Sequence, residues 1–138
     1  MIETASGEMP GRDELVDLYD AVGWGAYTKD VETLERALRG STHVVTARRS
    51  GRLVGLARVV SDGASIAYLQ DVLVHPEEQR GGLGRRLVNE VLAPFASVRQ
   101  KVLLTDDEPR QRAFYESLGF AEIRDFDTGS LRSFVRFD

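Results

Sequence analysis

The sequence predicts an α/β domain with a central sheet that is mixed but largely antiparallel. Two β-rich segments in the first half of the chain are separated by Ser50-Gly51, a dipeptide typical of tight hairpins. Residues 68–92 then have the pattern of a buried strand, a glycine-rich turn and an amphipathic helix. Together these patterns predict an antiparallel meander that leads into a strand–turn–helix unit.

Two helices are predicted before the sheet. Residues 12–22 and 31–39 each place apolar side chains on one helical face. A glycine-flanked loop that carries Trp24 and Tyr27 joins them, and it predicts either a lid over a pocket or two aromatic rings that fill the core. Residues 1–11 are polar, and we leave open whether they form a short edge strand or stay loose.

The remaining elements follow from apolar runs and their terminators. Strands are predicted at 42–49 and 52–61, and a further strand ends at Val74, where His75-Pro76 stops it. A buried run predicts a strand within 98–105, and a helix starts after the acidic residues at 106–108. Alternating apolar residues then predict two final strands, 120–126 and 131–137, around a turn at Thr128-Gly129.

Residues 79–84, called the glycine turn below, carry three glycines in four residues directly before a helix. Glycine lets the backbone bend sharply and brings its N–H groups against a ligand. The N-terminus of the following helix favours an anion. The Walker and dinucleotide-binding patterns are both absent, since no Lys follows Gly84 and Leu87 stands where a third glycine would be. The turn therefore predicts a phosphate site, with tight strand–helix packing as the alternative.

Two motifs carry a resemblance to a known family. Gln79-Arg80-Gly81-Gly82-Leu83-Gly84 resembles the acyl-CoA-binding motif (Gln/Arg)-x-x-Gly-x-(Gly/Ala) of the GNAT (Gcn5-related) N-acetyltransferases. Phe114-Tyr115, followed by Gly119-Phe120, resembles the family's C-terminal segment. The resemblance covers nearly the whole chain and implies a single domain at 1–138. It also implies a sheet of six to seven strands flanked by about four helices.

The resemblance implies transfer of an acetyl group from acetyl-CoA directly to a primary amine of a small molecule or peptide. Tyr115 falls on the family tyrosine that protonates the departing thiolate, a task that requires a neutral phenol. Strand residues would pair with the pantetheine arm and the thioester, and the glycine turn with the following arginine would hold the pyrophosphate. The cofactor-binding residues so implied are Val72, Leu73, Val74, Gln79, Arg80, Gly81, Gly82, Leu83, Gly84 and Arg85.

The base that deprotonates the amine is less well defined. Asp71 lies on the central strand and resembles an acidic position of several family members, but it is equally well explained as a structural carboxylate that caps a turn or pairs with an arginine. Asp107 and Glu108 are rivals for the role, and the isolated His75 is assigned to the surface. On the acceptor side we expect Trp24 and Tyr27 to shape the amine pocket.

Composition limits the other functions. The chain has 138 residues and no cysteine, which excludes disulfides, thiolate zinc sites and a cysteine nucleophile. A net charge of −4 argues against nucleic acid as the main partner. Since no apolar run reaches transmembrane length, we expect a cytoplasmic protein that needs neither membrane nor metal. A homodimer, a longer acyl group and a non-catalytic acyl-CoA-binding sensor of the same fold are the alternatives left open.

Overall fold

A computed structural model describes residues 1–126 and 131–138. Residues 1–104 form one compact unit and residues 105–138 a second. The strands, all in the first unit, are β1 (Ile2–Ser6), β2 (His43–Arg49), β3 (Arg52–Ser61), β4 (Ile66–Val74) and β5 (Gln100–Leu103). The helices are α1 (Arg12–Ala21), α2 (Gly25–Thr28), α3 (Val31–Gly40), α4 (Leu83–Leu92) and, in the second unit, α5 (Pro109–Ser117). Within the part of the chain so described, no helix has the length and apolar character needed to cross a membrane.

The strands form one sheet in the order β1-β2-β3-β4-β5. The first four pair antiparallel with their neighbours, whereas β4 and β5 pair in parallel. The predicted mixed, largely antiparallel sheet is therefore confirmed. The expected count of six to seven strands is not matched, because the described residues supply five.

The two predicted C-terminal strands account for the difference. Within 120–126 only a short 3₁₀ helix forms, at Ile123–Asp125, and 131–138 has no regular secondary structure. The predicted strand at 120–126 is wrong because its N–H groups bond locally: the amide of Phe120 donates to the carbonyl of Tyr115, and that of Phe126 to Ile123. A segment with an alternating pattern forms a strand only where a neighbouring strand can pair with its N–H and C=O groups. The predicted turn at Thr128-Gly129 lies outside the described residues.

The predicted N-terminal elements form with two refinements. Ser50 and Gly51 both have positive φ, +49° and +82°, the backbone that a two-residue hairpin between β2 and β3 requires. The edge strand left open in the sequence is present as β1. The aromatic loop after α1 contains one helical turn, α2, that the sequence did not predict.

Helices cover both faces of the sheet. On one face, α1 and α3 pack onto β3 and β4, where Leu56 and Leu73 are fully buried with the helix side chains. On the opposite face α4 lies close to the backbone, since a Cβ added to Gly55 would come within 2.9 Å of Leu87 Cδ1. Neighbouring residues of a strand point to opposite faces, so Gly55 and Leu56 serve different layers. The first layer carries the N-terminal aromatic residues, and the second begins at the glycine turn.

Candidate active site

Strand β4 loses one of its two partners halfway along its length. Its first residues pair with β5 from Ile66 to Leu69, in parallel register with 100–103. From Gln70 to Val74 only β3 continues alongside, and no other described strand pairs with this part of β4. Backbone N–H and C=O groups on that side are then available to an extended ligand. The predicted cofactor-binding residues Val72, Leu73 and Val74 all lie on this stretch.

A β-bulge at Gln70 changes which side chains of β4 share a face. Arg58 of β3 pairs with Asp71, and two residues later Val60 pairs with Tyr68, so β4 holds one extra residue. Arg58 and Val60 point to the same face because they are two residues apart on one strand. Tyr68 and Asp71 therefore also share that face, the one covered by α1, although they are three residues apart.

Asp71 is the centre of a buried polar cluster on this face. Its Oδ2 accepts hydrogen bonds from Arg58 Nε at 2.6 Å and from Tyr19 Oη at 2.9 Å. Its Oδ1 accepts one from Tyr27 Oη at 3.0 Å. Asp71 is 1% exposed and Arg58 is 6% exposed, so the ion pair is shielded from water. Asp71, Arg58, Tyr19 and Tyr27 are called the Asp71 cluster below.

The cluster keeps its tyrosines neutral. Burial raises the pKa of the Tyr19 phenol, and the negative charge of Asp71 raises it further. The same two causes raise the pKa of Tyr27. For Arg58, burial alone would lower the pKa, but the charge and hydrogen bond of Asp71 outweigh burial and raise it. At neutral pH both phenols therefore keep their hydrogens and serve as hydroxyl donors.

This geometry agrees with the second of the two interpretations of Asp71, a carboxylate paired with an arginine. Three donors surround it, and a ligand has no direct path to a side chain that is 1% exposed. A role as general base stays a prediction. Any such role must pass through a neighbour, and Tyr27 is the partly exposed member of the cluster.

Trp24 and Tyr27 lie together beside the buried core. Both are partly buried, and their ring centroids are 6.1 Å apart. Tyr19 joins them, with centroid distances of 6.1 Å to Trp24 and 5.1 Å to Tyr27. The three rings thus fill the edge of the core, and Trp24 and Tyr27 keep part of their surface exposed, with Tyr27 bonded to Gln70 of β4. Whether the segment acts as a lid stays a prediction.

The glycine turn leads from β4 into α4 through two left-handed residues. Arg80 has φ +69° and Gly82 has φ +83°. Gln79 stabilises the turn, because its Nε2 donates to the carbonyl of Val74 at 3.2 Å. A non-glycine residue in this conformation costs about 1–2 kcal/mol. The chain therefore holds Arg80 against its own preference, at a position where the sequence predicted a binding site.

The N-terminus of α4 carries main-chain donors that the helix itself does not pair. The first helical hydrogen bond runs from the amide of Arg86 to the carbonyl of Gly82 at 3.1 Å. The amides of Leu83 and Gly84 lie before it in the first turn, where a helix supplies no carbonyl partner, and no side chain caps the helix at Gly82. The side chain of Leu83 is buried and anchors the turn, whereas Gly81 and Arg85 are exposed. This is the arrangement that binds phosphate at helix N-termini.

Tyr115 lies on α5 in the second unit. Its ring contacts Phe114 and Phe120 edge to face, at centroid distances of 5.0 and 5.9 Å. Burial raises the pKa of Tyr115 to about 12, and the charge of Asp106 adds to the effect. The phenol is therefore neutral at physiological pH, as a proton donor must be.

The rival acids and His75 have mainly local contacts. Glu108 precedes α5 and pairs with Arg110 at 3.1 Å, and Asp107 is exposed. The Nδ1 atom of His75 accepts the amide hydrogen of Glu77 at 3.2 Å and so caps the short helix after β4. Over residues 1–126 and 131–138, no group of three His, Cys, Asp or Glu side chains could hold a metal.

Sequence reasoning missed four residues around Asp71. Arg58 interrupts an apolar strand pattern, and this was a usable signal, because a buried arginine requires an anion. Tyr19 falls within the helix predicted at 12–22, on its apolar face, and that pattern gives no signal of a partner for the hydroxyl. Gln70 and Tyr68 reach the cluster only through the bulge. Burial raises the pKa of Tyr68, as do its neighbours Tyr27 and Asp71, which places its ring near them.

Comparison with known proteins then settles the family. A sequence model of the acetyltransferase (GNAT) domain matches residues 13–128. The chain belongs to the GNAT acetyltransferase family. The resemblance seen in the glycine turn and around Tyr115 is thereby confirmed, as is the α/β fold of that family.

Individual GNAT relatives agree in fold. A GNAT family acetyltransferase from Streptococcus pneumoniae superposes with a TM-score of 0.84 at 33% identity, covering 100% of this chain and 98% of that one. An uncharacterized N-acetyltransferase, ycf52, of Pyropia yezoensis is 30% identical over 83% of the chain and 66% of its own length. Serotonin N-acetyltransferase 2, chloroplastic, of Oryza sativa is 36% identical over 65% of the chain and 47% of its own length.

The chain therefore spans about half to two thirds of these two curated relatives. Because the name of the rice protein places that relative in the chloroplast, the expected cytoplasmic location of this chain stays a prediction. The single-domain organisation and the homodimer likewise stay untested.

Proposed function

We propose that this GNAT domain transfers the acetyl group of acetyl-CoA directly to a primary amine of a small molecule or peptide. The observation that carries the proposal is the half-paired strand β4, which is followed by the glycine turn after one short 3₁₀ helix, Pro76–Glu78. One continuous stretch, 70–84, thus offers an open backbone edge and then a row of amides at a helix N-terminus. Family membership supports acetyl-CoA as the donor.

The residues present fit acetyl-CoA. Its pyrophosphate would lie on the amides of the glycine turn, with Arg80 and Arg85 as neutralising charges. Its pantetheine arm contains amide groups, which would pair with the free edge of β4 between Val72 and Val74 as an added strand does. The exposed glycines leave room for the phosphates, since a Cβ added to Gly82 would have no protein atom within 4 Å of it.

The chemistry needs orientation and a proton donor rather than a protein nucleophile. Acetyl-CoA supplies an activated thioester when bound, and the amine attacks it directly. Main-chain N–H groups of β4 would orient the thioester and stabilise charge on its oxygen. We propose that Tyr115, neutral because burial raises its pKa to about 12, protonates the leaving thiolate.

The acceptor would enter on the face of the sheet that α1 covers. Trp24 and Tyr27 line this side in the proposal, and aromatic faces attract cationic amines by about 0.5–2 kcal/mol. Tyr68, brought to the same face by the bulge, extends the aromatic surface. Since a relative at 36% identity is named for serotonin, amines that carry an aromatic ring are the first acceptors to test.

A panel of amines tests the function. The chain is incubated with acetyl-CoA and arylalkylamines, polyamines, aminoglycosides, amino acids or peptides, and both free thiol and acetylated product are measured. We expect thiol release that depends on at least one amine, with one acetylated product for each thiol. Acetyl-CoA binding without amine-dependent release across the panel would contradict the enzyme and favour the non-catalytic sensor.

A further inference from the structure

The Tyr27 hydroxyl links the buried Asp71 to Gln70, the first residue of β4 beyond the part that pairs with β5. It donates its hydrogen to Asp71 Oδ1 at 3.0 Å and receives a hydrogen from Gln70 Nε2 at 3.1 Å. A phenol oxygen has one hydrogen to give and can accept two. A carboxylate can only accept, so Asp71 holds the Tyr27 hydrogen inward and leaves an oxygen lone pair facing away from the core.

We propose that Tyr27 Oη is the hydrogen-bond acceptor that receives the N–H of the acceptor amine, with Asp71 as the positioning residue behind it. The inference rests on the proposed function and deepens it by naming the group that contacts the amine. In this arrangement Asp71 acts without touching the substrate. Its task is to fix the direction of one hydroxyl.

Exposure selects Tyr27 from the other members of the cluster. Asp71 and Tyr19 are 1% and 0% exposed, so neither can meet a substrate directly. Tyr27 is partly exposed, and Gln70 beside it is exposed. The bulge that lifts Gln70 out of the ladder is what brings its amide to the Tyr27 oxygen.

The surrounding charges favour an amine over an anion at this oxygen. Arg58 donates from Nε to Asp71 Oδ2 at 2.6 Å and from Nη1 to Ser41 Oγ at 3.2 Å, so both of these hydrogens have partners other than Tyr27. Tyr19 also gives its hydroxyl to Oδ2, while Tyr68 on β4 is a neutral neighbour. An oxygen whose hydrogen is held by a carboxylate stabilises positive charge as it develops on the attacking nitrogen.

Tyr27→Phe tests the inference, with Tyr19→Phe as its matched control. Each variant removes one hydroxyl that donates to Asp71 and keeps the ring, but only Tyr27 is partly exposed. A hydrogen bond to a charging group is worth about 1.5–3 kcal/mol, so kcat/KM for the amine should fall about 10- to 100-fold in Tyr27→Phe. Acetyl-CoA affinity, measured by calorimetry, should stay within about twofold of wild type because the glycine turn is untouched.

The control separates contact from structure. Tyr19→Phe should lower the melting temperature at least as much as Tyr27→Phe, since it leaves a fully buried oxygen of Asp71 with one donor fewer, yet change amine kinetics less than about threefold. Equal kinetic losses in the two variants, or a Tyr27→Phe loss shared by acetyl-CoA binding, would overturn the inference.

Different results would contradict the proposed function and the inference about Tyr27. If the wild-type chain acetylates amines and Tyr27→Phe does so with unchanged kcat/KM, the inference is wrong and the proposed function stands. If the wild-type chain binds acetyl-CoA but acetylates no amine in the panel, the proposed function is wrong and the inference falls with it.

Discussion

The glycine turn begins at Gln79, only eight residues after Asp71, yet the turn and the Asp71 cluster are built in opposite ways. The turn presents main-chain amides on an exposed loop, with two left-handed residues that shape it. The cluster is made of side chains, is buried except for Tyr27, and gives Asp71 three hydrogen-bond donors. The turn offers main-chain groups to a ligand, whereas the buried part of the cluster bonds within itself.

This difference assigns different tasks to the two regions. A backbone site binds any ligand of the right shape and charge, as a cofactor common to a whole family requires. A buried side-chain cluster instead fixes the position of the few atoms at its edge, here Tyr27 Oη. Substitutions in the turn should therefore change binding with little change in stability, and substitutions of the buried cluster members Arg58 and Tyr19 should do the reverse.

Arg58→Ala should have the largest effect. Removing one partner of a buried ion pair leaves an uncompensated charge and costs about 3–5 kcal/mol in the free energy of unfolding. Arg12→Ala is the control, because Arg12 pairs with Glu35 at 2.6 Å but its side chain is 51% exposed. Exposed pairs are worth about 0–1 kcal/mol.

Denaturant unfolding monitored by circular dichroism measures both variants. Equal losses in Arg58→Ala and Arg12→Ala would show that the Asp71 cluster contributes no more than a surface ion pair. The distinction between the two regions would then disappear.

Tyr115→Phe tests the proposed proton donor in the second unit. The ring contacts with Phe114 and Phe120 remain, so folding should change little, while kcat should fall about 10²-fold. The loss of kcat should be smaller with an acetyl donor whose thiol has a lower pKa, because that leaving group depends less on protonation. Wild-type kcat in the variant, on a substrate for which chemistry is rate-limiting, would remove Tyr115 from the mechanism.

The pH dependence of the wild-type enzyme follows from the same residue. The raised pKa of Tyr115, about 12, means that the protonated donor persists to higher pH than an ordinary tyrosine and is lost only as the pH approaches that value. Plots of kcat should therefore show no falling limb from this group up to pH of about 10. A falling limb near 9 that vanishes in Tyr115→Phe would indicate an unshifted phenol.

Gly82→Asp should have a smaller effect, confined to the cofactor. An added carboxylate at the N-terminus of α4 occupies the anion site and repels phosphate, so acetyl-CoA affinity should fall about tenfold or more. Gly63→Asp is the control, because Gly63 also has positive φ, +75°, in the β3–β4 turn. Both variants carry the same backbone strain, and only the first should weaken binding in calorimetry. Undiminished affinity in Gly82→Asp would place the pyrophosphate elsewhere.

Structural features that depend on neighbouring residues in the chain could be predicted from the sequence. Contacts between residues distant in the chain could not. The helix after the glycine turn and the hairpin at Ser50-Gly51 depend on residues adjacent in the chain, and both form as predicted. The partners of Asp71 lie 52, 44 and 13 residues away, and no spacing rule connects them. Their meeting depends on sheet register and on a bulge that moves side chains to the other face.

The C-terminal residues show the opposite error. Residues 120–126 alternate as a strand does, yet Arg112 of α5 forms ion pairs with Glu122 and Asp125. The amides of Asp125 and Phe126 also bond to carbonyls within the segment. An alternating pattern shows which side chains are apolar, but it does not show whether a neighbouring strand is present to form hydrogen bonds. The strand count was overestimated for this reason.

The most direct test of the account is a crystal structure of the chain with acetyl-CoA. We predict pyrophosphate oxygens at hydrogen-bond distance, about 2.7–3.2 Å, from the amides of Leu83 and Gly84, and pantetheine amides paired with β4 beyond Leu69. The acetyl carbon should then lie within reach of an amine held at Tyr27 Oη. Acetyl-CoA bound away from the glycine turn, or with its thioester on the far side of β4 from Tyr27, would contradict it.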